Sequence, residues 1–387
     1  MTDLLTSEGI EGLHAAARRH VGDDRVPGLV ALVGRGDQVH VEALGTLSVG
    51  GPPVARDSLF RIASTTKPIT AAATLALARE GLIDIDAPVD KLLPELAGRQ
   101  VLRRMNGPLD DTVPANRPII ARDLLTFTFG FGMVTEMFTD REPWPVITAS
   151  NDLRLATAGP PQPEVQPDPD TWIAGLGSLP LMAQPGERWM YNTGASVLGV
   201  LLARAAGQPI ADVLRTRIFE PLGMRDTAFW AAQPERLATS YLPTPGGLVV
   251  HDEPAGAWSR PPAFGDGAAG LVSTVDDLLA FARMLLRGGA PVLSQDAVRA
   301  MTTDQLTSEQ KSHGGLGPGF FDGKSWSFCQ MVRDGGAFGW DGGLGTSWLV
   351  DPNYDLTVIV LTQRMFETSD PPQVHRDLQA AAYAALA

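Results

Sequence analysis

The segment Leu356-Thr357-Val358-Ile359-Val360-Leu361 limits the fold more than any other stretch of this chain. Side chains alternate between the two faces of a strand, so a strand apolar on both faces is covered on both. Gly345 to Val350 reads as its partner strand, across the turn Asp351-Pro352-Asn353-Tyr354-Asp355. The other strong strand pattern lies at the opposite end of the chain. Val26 to Gly34 is turned back by Arg35-Gly36-Asp37, and Val39 to Leu44 follows as its hairpin partner. The stretches between these ends are mainly helical in pattern. The expected fold is therefore α/β (α+β): an antiparallel sheet built from both chain ends and flanked by helices, with an inserted all-helical region. The chain has 387 residues, more than one compact core usually holds. The expected division is a discontinuous α/β domain, 1–68 with 265–387, and a mainly helical domain, 69–264.

The helices have recognisable limits. Residues 7–20 are amphipathic, with Ile10, Leu13 and Ala17 on one side. Ala195 to Ala206 ends at Gly207, and Ile210 to Phe219 is followed by Pro221 and Gly223. Thr274 with Asp277 resembles a capping box at the start of helix 275–287. A last helix covers 371–386. The runs Pro160-Pro161-Gln162-Pro163 and Pro167-Asp168-Pro169-Asp170 interrupt 82–190, and 225–264 reads as irregular.

Composition narrows the function. A net charge of −13 argues against nucleic acid or an anionic membrane as partner. One cysteine, Cys329, excludes an internal disulfide and reads as a small buried side chain. Met1 to Ile10 lacks a basic segment followed by an apolar core, and no run is long enough to span a membrane, so the expectation is a cytoplasmic protein. The six histidines show no metal-ligand spacing, and there is no Gly-x-Ser-x-Gly elbow, Walker A or Gly-x-Gly-x-x-Gly fingerprint. No cofactor or metal is expected.

One short stretch carries chemistry. Arg61-Ile62-Ala63-Ser64-Thr65-Thr66-Lys67-Pro68 precedes a run of helix formers that ends at Gly81. Pro68 is tolerated only near the first turn of a helix, which puts Ser64 at its N-terminal end and Lys67 one turn along the same face. A serine hydroxyl needs a neighbouring base, and a buried lysine that loses its charge can be one. A helix N-terminus also favours developing negative charge. Such a site needs a second group to handle protons. Of four tyrosines, Tyr191 stands out, in the loop Gln184 to Gly194 before an apolar helix, although by itself it reads as a half-buried aromatic. The glycine-rich run Gly339 to Trp348 would let backbone approach a substrate closely.

Taken together, Ser64-Thr65-Thr66-Lys67, Tyr191-Asn192-Thr193 and Trp340-Asp341-Gly342, in that order, resemble the three motifs of the serine β-lactamase and penicillin-binding-protein superfamily. The closest resemblance is to class C β-lactamases and family VIII carboxylesterases. Leu124-Leu125-Thr126, Pro221-Leu222-Gly223-Met224 and Gly270-Leu271-Val272-Ser273-Thr274 add to it. The resemblance implies a β-lactamase/transpeptidase-like fold with the site in the cleft between its two parts. It implies Ser64 as the acylated nucleophile, and Lys67 and Tyr191 as the general-base and proton-transfer pair. The backbone N–H groups of Ser64 and Gly343 would form the oxyanion hole. Trp340, Asp341, Gly342 and Asn192 would line the substrate.

The departures bear on substrate. Where β-lactamases and peptidases of the superfamily place a lysine, this chain has Trp340 followed by Asp341, so the charge that holds a substrate carboxylate is missing. Thr193 stands where class C enzymes have an asparagine. Phe127 and Phe129 stand where relatives often carry His and Ser, a change with no mechanistic account in sequence alone. Trp340 and Trp348 are the tryptophans that motif position ties to the site. The expectation is a serine carboxylesterase acting on short-chain uncharged carboxylic esters, small-molecule substrates. An acyltransferase, a β-lactam or amide hydrolase, and a non-catalytic ligand-binding protein are the competing readings. The oligomeric state is not legible.

Overall fold

The structure, a computed structural model, describes residues 5–140 and 142–386. Met1 to Leu4, the start of the segment read for a leader, lie outside the described residues. Seven strands form one antiparallel sheet: β1 (Gly28–Arg35), β2 (Gln38–Gly45), β3 (Lys324–Trp326), β4 (Met331–Arg333), β5 (Phe338–Gly342), β6 (Thr346–Asp351) and β7 (Leu356–Thr362). Their spatial order is β2-β1-β7-β6-β5-β4-β3. β1 pairs with β7, Leu29 opposite Thr362 and Arg35 opposite Leu356, so the two chain ends share one sheet. The helices that matter here are α1 (Ser7–His20), α2 (Thr66–Arg79), α3 (Thr193–Ala206), α4 (Val275–Leu286) and α5 (Gln373–Ala384).

The alternation of strand side chains divides the core into two layers. Leu29, Ala31 and Val33 of β1 and Val358 and Val360 of β7 pack with Leu13 and Ala17 of α1 and Leu378 and Ala382 of α5. Their neighbours Val30, Leu32, Ile359 and Leu361 join the larger core on the other face, which contains α4 and most of α2. α2 is buried over all of Thr66 to Leu77, so it has no solvent face for most of its length. Its alanines let neighbouring elements approach closely, and Pro68 sits third in the helix, where its missing N–H has no intrahelical acceptor in any case.

Three sequence expectations need correction. Residues 225–264 contain a hairpin, Ser240–Thr244 with Gly247–Asp252. Pro243 hid it, because proline is tolerated in a strand only at an edge. Arg61, 3% exposed, ties this hairpin to the core through Asp252 and the Ala238 carbonyl. Second, the proline-rich run at 167–170 starts the ten-residue helix Pro169–Ser178. The Asp168 carboxylate accepts from the N–H groups of Asp170 and Thr171, both at 3.1 Å, and Pro169 opens the first turn. Third, Trp348 is packed into the core and does not line the site: it is 1% exposed, packs on Phe281 and donates to the Leu278 carbonyl of α4 at 3.3 Å.

No single helix among the described residues is long and apolar enough to cross a membrane. Because Ile359 is fully buried between β7 and the larger core, Ile359→Ala is expected to destabilise the protein by about 2–5 kcal/mol, read as a lower urea midpoint.

Candidate active site

Ser64 lies in a 3₁₀ turn, Ala63–Thr65, that leads into α2. The helix itself begins at Thr66, two residues later than the sequence pattern implies. Ala63 has φ +43°, a left-handed conformation that a residue with a Cβ adopts only under constraint from its surroundings. Between Arg61 and Leu77 only Ser64 is appreciably reached by solvent.

The side chains that the motifs pointed to converge on its hydroxyl. Lys67 Nζ donates to Ser64 Oγ at 2.9 Å, and Tyr191 OH donates to the same oxygen at 2.9 Å. Lys67 Nζ also donates to the Ala268 carbonyl at 2.9 Å. Trp340 Nε1 donates to Tyr191 OH at 2.7 Å. Tyr191 is held by backbone pairing with Met133, N–H to carbonyl in both directions at 2.8 and 2.9 Å. Asn192 then forms a γ-turn, φ +85° and ψ −65°, closed by the Thr193 N–H on the Tyr191 carbonyl at 3.3 Å. This strained turn swings the chain from the Tyr191 bridge directly into α3. The side chain of Asn192 is hydrogen-bonded to none of Ser64, Lys67, Tyr191 or Trp340.

Burial sets the protonation states. Lys67 is 0% exposed, and desolvation of its ammonium lowers its pKa to about 7, with the charge of Asp266 acting in the opposite direction. Burial pushes the Tyr191 phenol far above its ordinary range, although hydrogen bonds with Ser64 and Trp340 oppose this. Near neutral pH the tyrosine is therefore an uncharged donor, and the lysine is the group that titrates. The Lys67 amine also sits 4.7 Å from the centroid of the Tyr191 ring.

An aromatic wall fixes Tyr191 and Trp340. The Trp326 ring meets Trp340 edge-on at 4.7 Å, and Trp189 lies 5.6 Å from Tyr191. Phe127 packs on Tyr191 at 5.9 Å and on Trp326 at 5.2 Å, which gives its apolar side chain a structural reason. Trp340, Asp341 and Gly342 lie on β5, where Gly342 passes so close to the Ser64 turn that a Cβ would stand 2.2 Å from the Ile62 carbonyl oxygen. Space beside Gly343 is open. Asp341 is half-exposed and reaches Tyr191 through its charge alone.

Several neighbours were not singled out in the sequence. Asp266 and Ala268 belong to the glycine-rich turn 265–270, and Ser196 lies on α3; no motif marked them. Trp189 sits two residues before Tyr191, which was the available signal. A cavity of about 730 Å³ lies elsewhere, between Leu102, Met105, Trp144 and Arg188, and takes in none of the four hydrogen-bonded residues. Among the described residues, no group of three or more His, Cys, Asp or Glu side chains is placed to hold a metal ion.

A family model described as Beta-lactamase matches residues 13–382. The chain belongs to the beta-lactamase family. Protein Rv1367c of Mycobacterium tuberculosis is similar at 36% identity over 375 residues, 92% of this chain and 90% of that protein. Esterase EstB of Burkholderia gladioli is similar at 30% identity over 384 residues, 93% and 92% of the two chains. Among solved structures, EstCE1, described as a hydrolase with promiscuous acyltransferase activity, superposes with a TM-score of 0.82 at 23% identity, over 97% of this chain and 99% of its own. That likeness establishes the fold, a mixed α/β protein with an antiparallel sheet flanked by helices.

The closeness of Gly342 to Ile62 makes a specific demand. Gly342→Ala is expected to push β5 off the Ser64 turn and cost about 1–3 kcal/mol, measured as a lower thermal midpoint.

Proposed function

We propose that this protein is a serine carboxylesterase that cleaves short-chain, uncharged carboxylic esters through an acyl-serine intermediate. The observation that carries the reading is a single oxygen, Ser64 Oγ, held 2.9 Å from both a fully buried lysine amine and a buried phenol. Its family membership and its similarity to Esterase EstB support an enzyme of the hydrolase and acyltransferase kind.

In this reading neutral Lys67 takes the hydroxyl proton as Oγ attacks the ester carbonyl. The N–H groups of Ser64 and Gly343 receive the oxyanion; neither donates to another group among the described residues. Tyr191, kept neutral by burial and oriented by Trp340, passes a proton to the departing alkoxide, and Lys67 replaces it. The C–O bond to the alcohol breaks and the acyl group stays on Ser64. Water then attacks the acyl-enzyme with Lys67 again as acceptor, releasing the acid and restoring the hydroxyl.

Trp340 is the feature that separates this site from one built for anionic substrates. Its indole supplies a neutral donor to Tyr191 and no charge for a substrate carboxylate, and Asp341 beside it repels one. Trp340, Asp341, Gly342 and Asn192 are accordingly assigned to the substrate-facing strand and loop. An acyltransferase is the second reading, favoured by the description of EstCE1: an alcohol in place of water in the last step needs no further catalytic group.

The test compares initial rates on p-nitrophenyl acetate, butyrate and octanoate with those on nitrocefin. Ester turnover is expected to exceed nitrocefin turnover and to fall by roughly a thousandfold or more in Ser64→Ala. Full activity in that variant sinks the mechanism. Because the working form of Lys67 is the neutral one, the ester rate should rise with pH through about 7 and be lost as pH falls below it. Trp340→Phe keeps a ring but removes the indole donor, and is expected to lower kcat about fivefold to tenfold with KM little changed.

A further inference from the structure

Among the described residues Lys67 has no carboxylate in hydrogen-bond contact; its amine donates to Ser64 Oγ and to the Ala268 carbonyl. The carboxylate whose charge acts most strongly on it is Asp266, two residues before Ala268 and only 6% exposed. One oxygen of Asp266 accepts from the Ala268 N–H at 2.9 Å and from Ser196 Oγ of α3 at 2.7 Å. Thr70 of α2 fixes the same turn from the other side, donating to the Gly267 carbonyl at 2.7 Å. The glycine at 267 is required here, since a Cβ would stand 2.6 Å from the Ala195 carbonyl oxygen. The turn is thus pinned between α2 and α3 with the Ala268 carbonyl directed at the lysine.

We propose that Asp266 is a positioning residue for the proton acceptor: its ionised carboxylate holds the Ala268 carbonyl on Lys67 and is the counter-charge for the ammonium formed when Ser64 gives up its proton. The proposal rests on the reading of Lys67 as that acceptor. A buried ammonium without an opposing charge is strongly disfavoured. The other titratable groups facing Lys67 cannot supply that charge. Tyr191, from the loop before α3, and Cys329, from the turn between β3 and β4, are both pushed up by burial and stay protonated near neutral pH. Asp341 on β5 acts on Tyr191. Burial leaves the Asp266 carboxyl above its ordinary range, although its two hydrogen bonds and the charge on Lys67 oppose that rise and favour the ionised form.

The sign of the effect is fixed. Removing the negative charge makes the Lys67 ammonium less favourable, so the amine loses its proton at lower pH. Labelling of Ser64 by an uncharged alkyl fluorophosphonate reads this directly. The Oγ–P bond forms as the P–F bond breaks, fluoride leaves, and the hydroxyl proton passes to Lys67. In the wild type the labelling rate should rise with pH around a midpoint near 7. In Asp266→Asn the amide oxygen can still accept from Ser196 and Ala268. The midpoint is expected to fall by about one pH unit while the high-pH plateau changes little. Ser196→Ala removes one donor that favours the ionised carboxylate, and is expected to lower the midpoint by less; it decides the matter if Asp266→Asn does not fold. A lowered plateau with an unmoved midpoint in folded variants, or no change in either, overturns the proposal and leaves the role of Lys67 standing. Wild-type protein that is never labelled at Ser64 overturns both.

Discussion

A lysine amine shut away from water is the constraint on which the rest of the site depends. Desolvation brings Lys67 to about neutral pKa, and that shift is useful only if the amine stays fixed against one hydroxyl. The fixing is done from several directions at once. α2 carries Lys67 and Thr70, the turn after Gly265 brings the Ala268 carbonyl, and the loop before α3 brings Tyr191. β5 brings Trp340 to the phenol. These pieces come from positions that span most of the chain, so the site exists only when the sheet and the helical region are packed together.

The backbone around this amine is strained in a way the remainder of the chain mostly is not. Among the described residues, seven without a glycine's freedom have positive φ, and four of them are Ala63, Phe127, Asn192 and Cys329. Ala63 precedes the serine and Asn192 follows the tyrosine. Phe127 packs on the tyrosine ring, and Cys329 is close enough for the lysine's charge to be felt at its thiol. Such conformations persist where surrounding packing overdetermines them. Here that packing is the aromatic wall of Trp189, Trp326 and Trp340 and the buried length of α2. Strain and rigidity together hold two polar atoms, Lys67 Nζ and Tyr191 OH, on the Ser64 oxygen without adjustment at the moment of reaction.

Replacing a cation by an indole at Trp340 changes what the site can recognise while keeping a donor for Tyr191. An ammonium there would both donate a hydrogen bond and hold a substrate carboxylate; the indole does only the first. The phenol therefore keeps its orientation, and it is on this ground that the proposed reading assigns uncharged substrates. Phe127 follows the same direction, since an apolar ring beneath Tyr191 deepens the burial that keeps the phenol protonated.

The strand pattern of Leu356 to Leu361, the serine-to-lysine spacing and the tyrosine before an apolar helix were legible because each is local: side-chain alternation and one-turn spacing follow from backbone geometry alone. The hairpin at 240–252 was hidden because its proline is allowed only by an edge position, and edge position is a property of the assembled protein. The helix at 169–178 was written in Asp168-Pro169, but a proline-rich neighbourhood outweighed the cap. Trp348 showed the limit of motif position, since register places it opposite Trp340 while its surroundings bury it against α4. By itself the sequence determined the sheet from both chain ends and singled out Ser64, Lys67 and Tyr191, which the fold brings into hydrogen-bond contact. Only the tertiary structure decided that Lys67 is dry, that Trp340 donates to Tyr191 and that the turn held by Asp266 puts the Ala268 carbonyl on Lys67, because burial and through-space charge depend on residues about 150 to 200 positions apart being brought within a few ångströms.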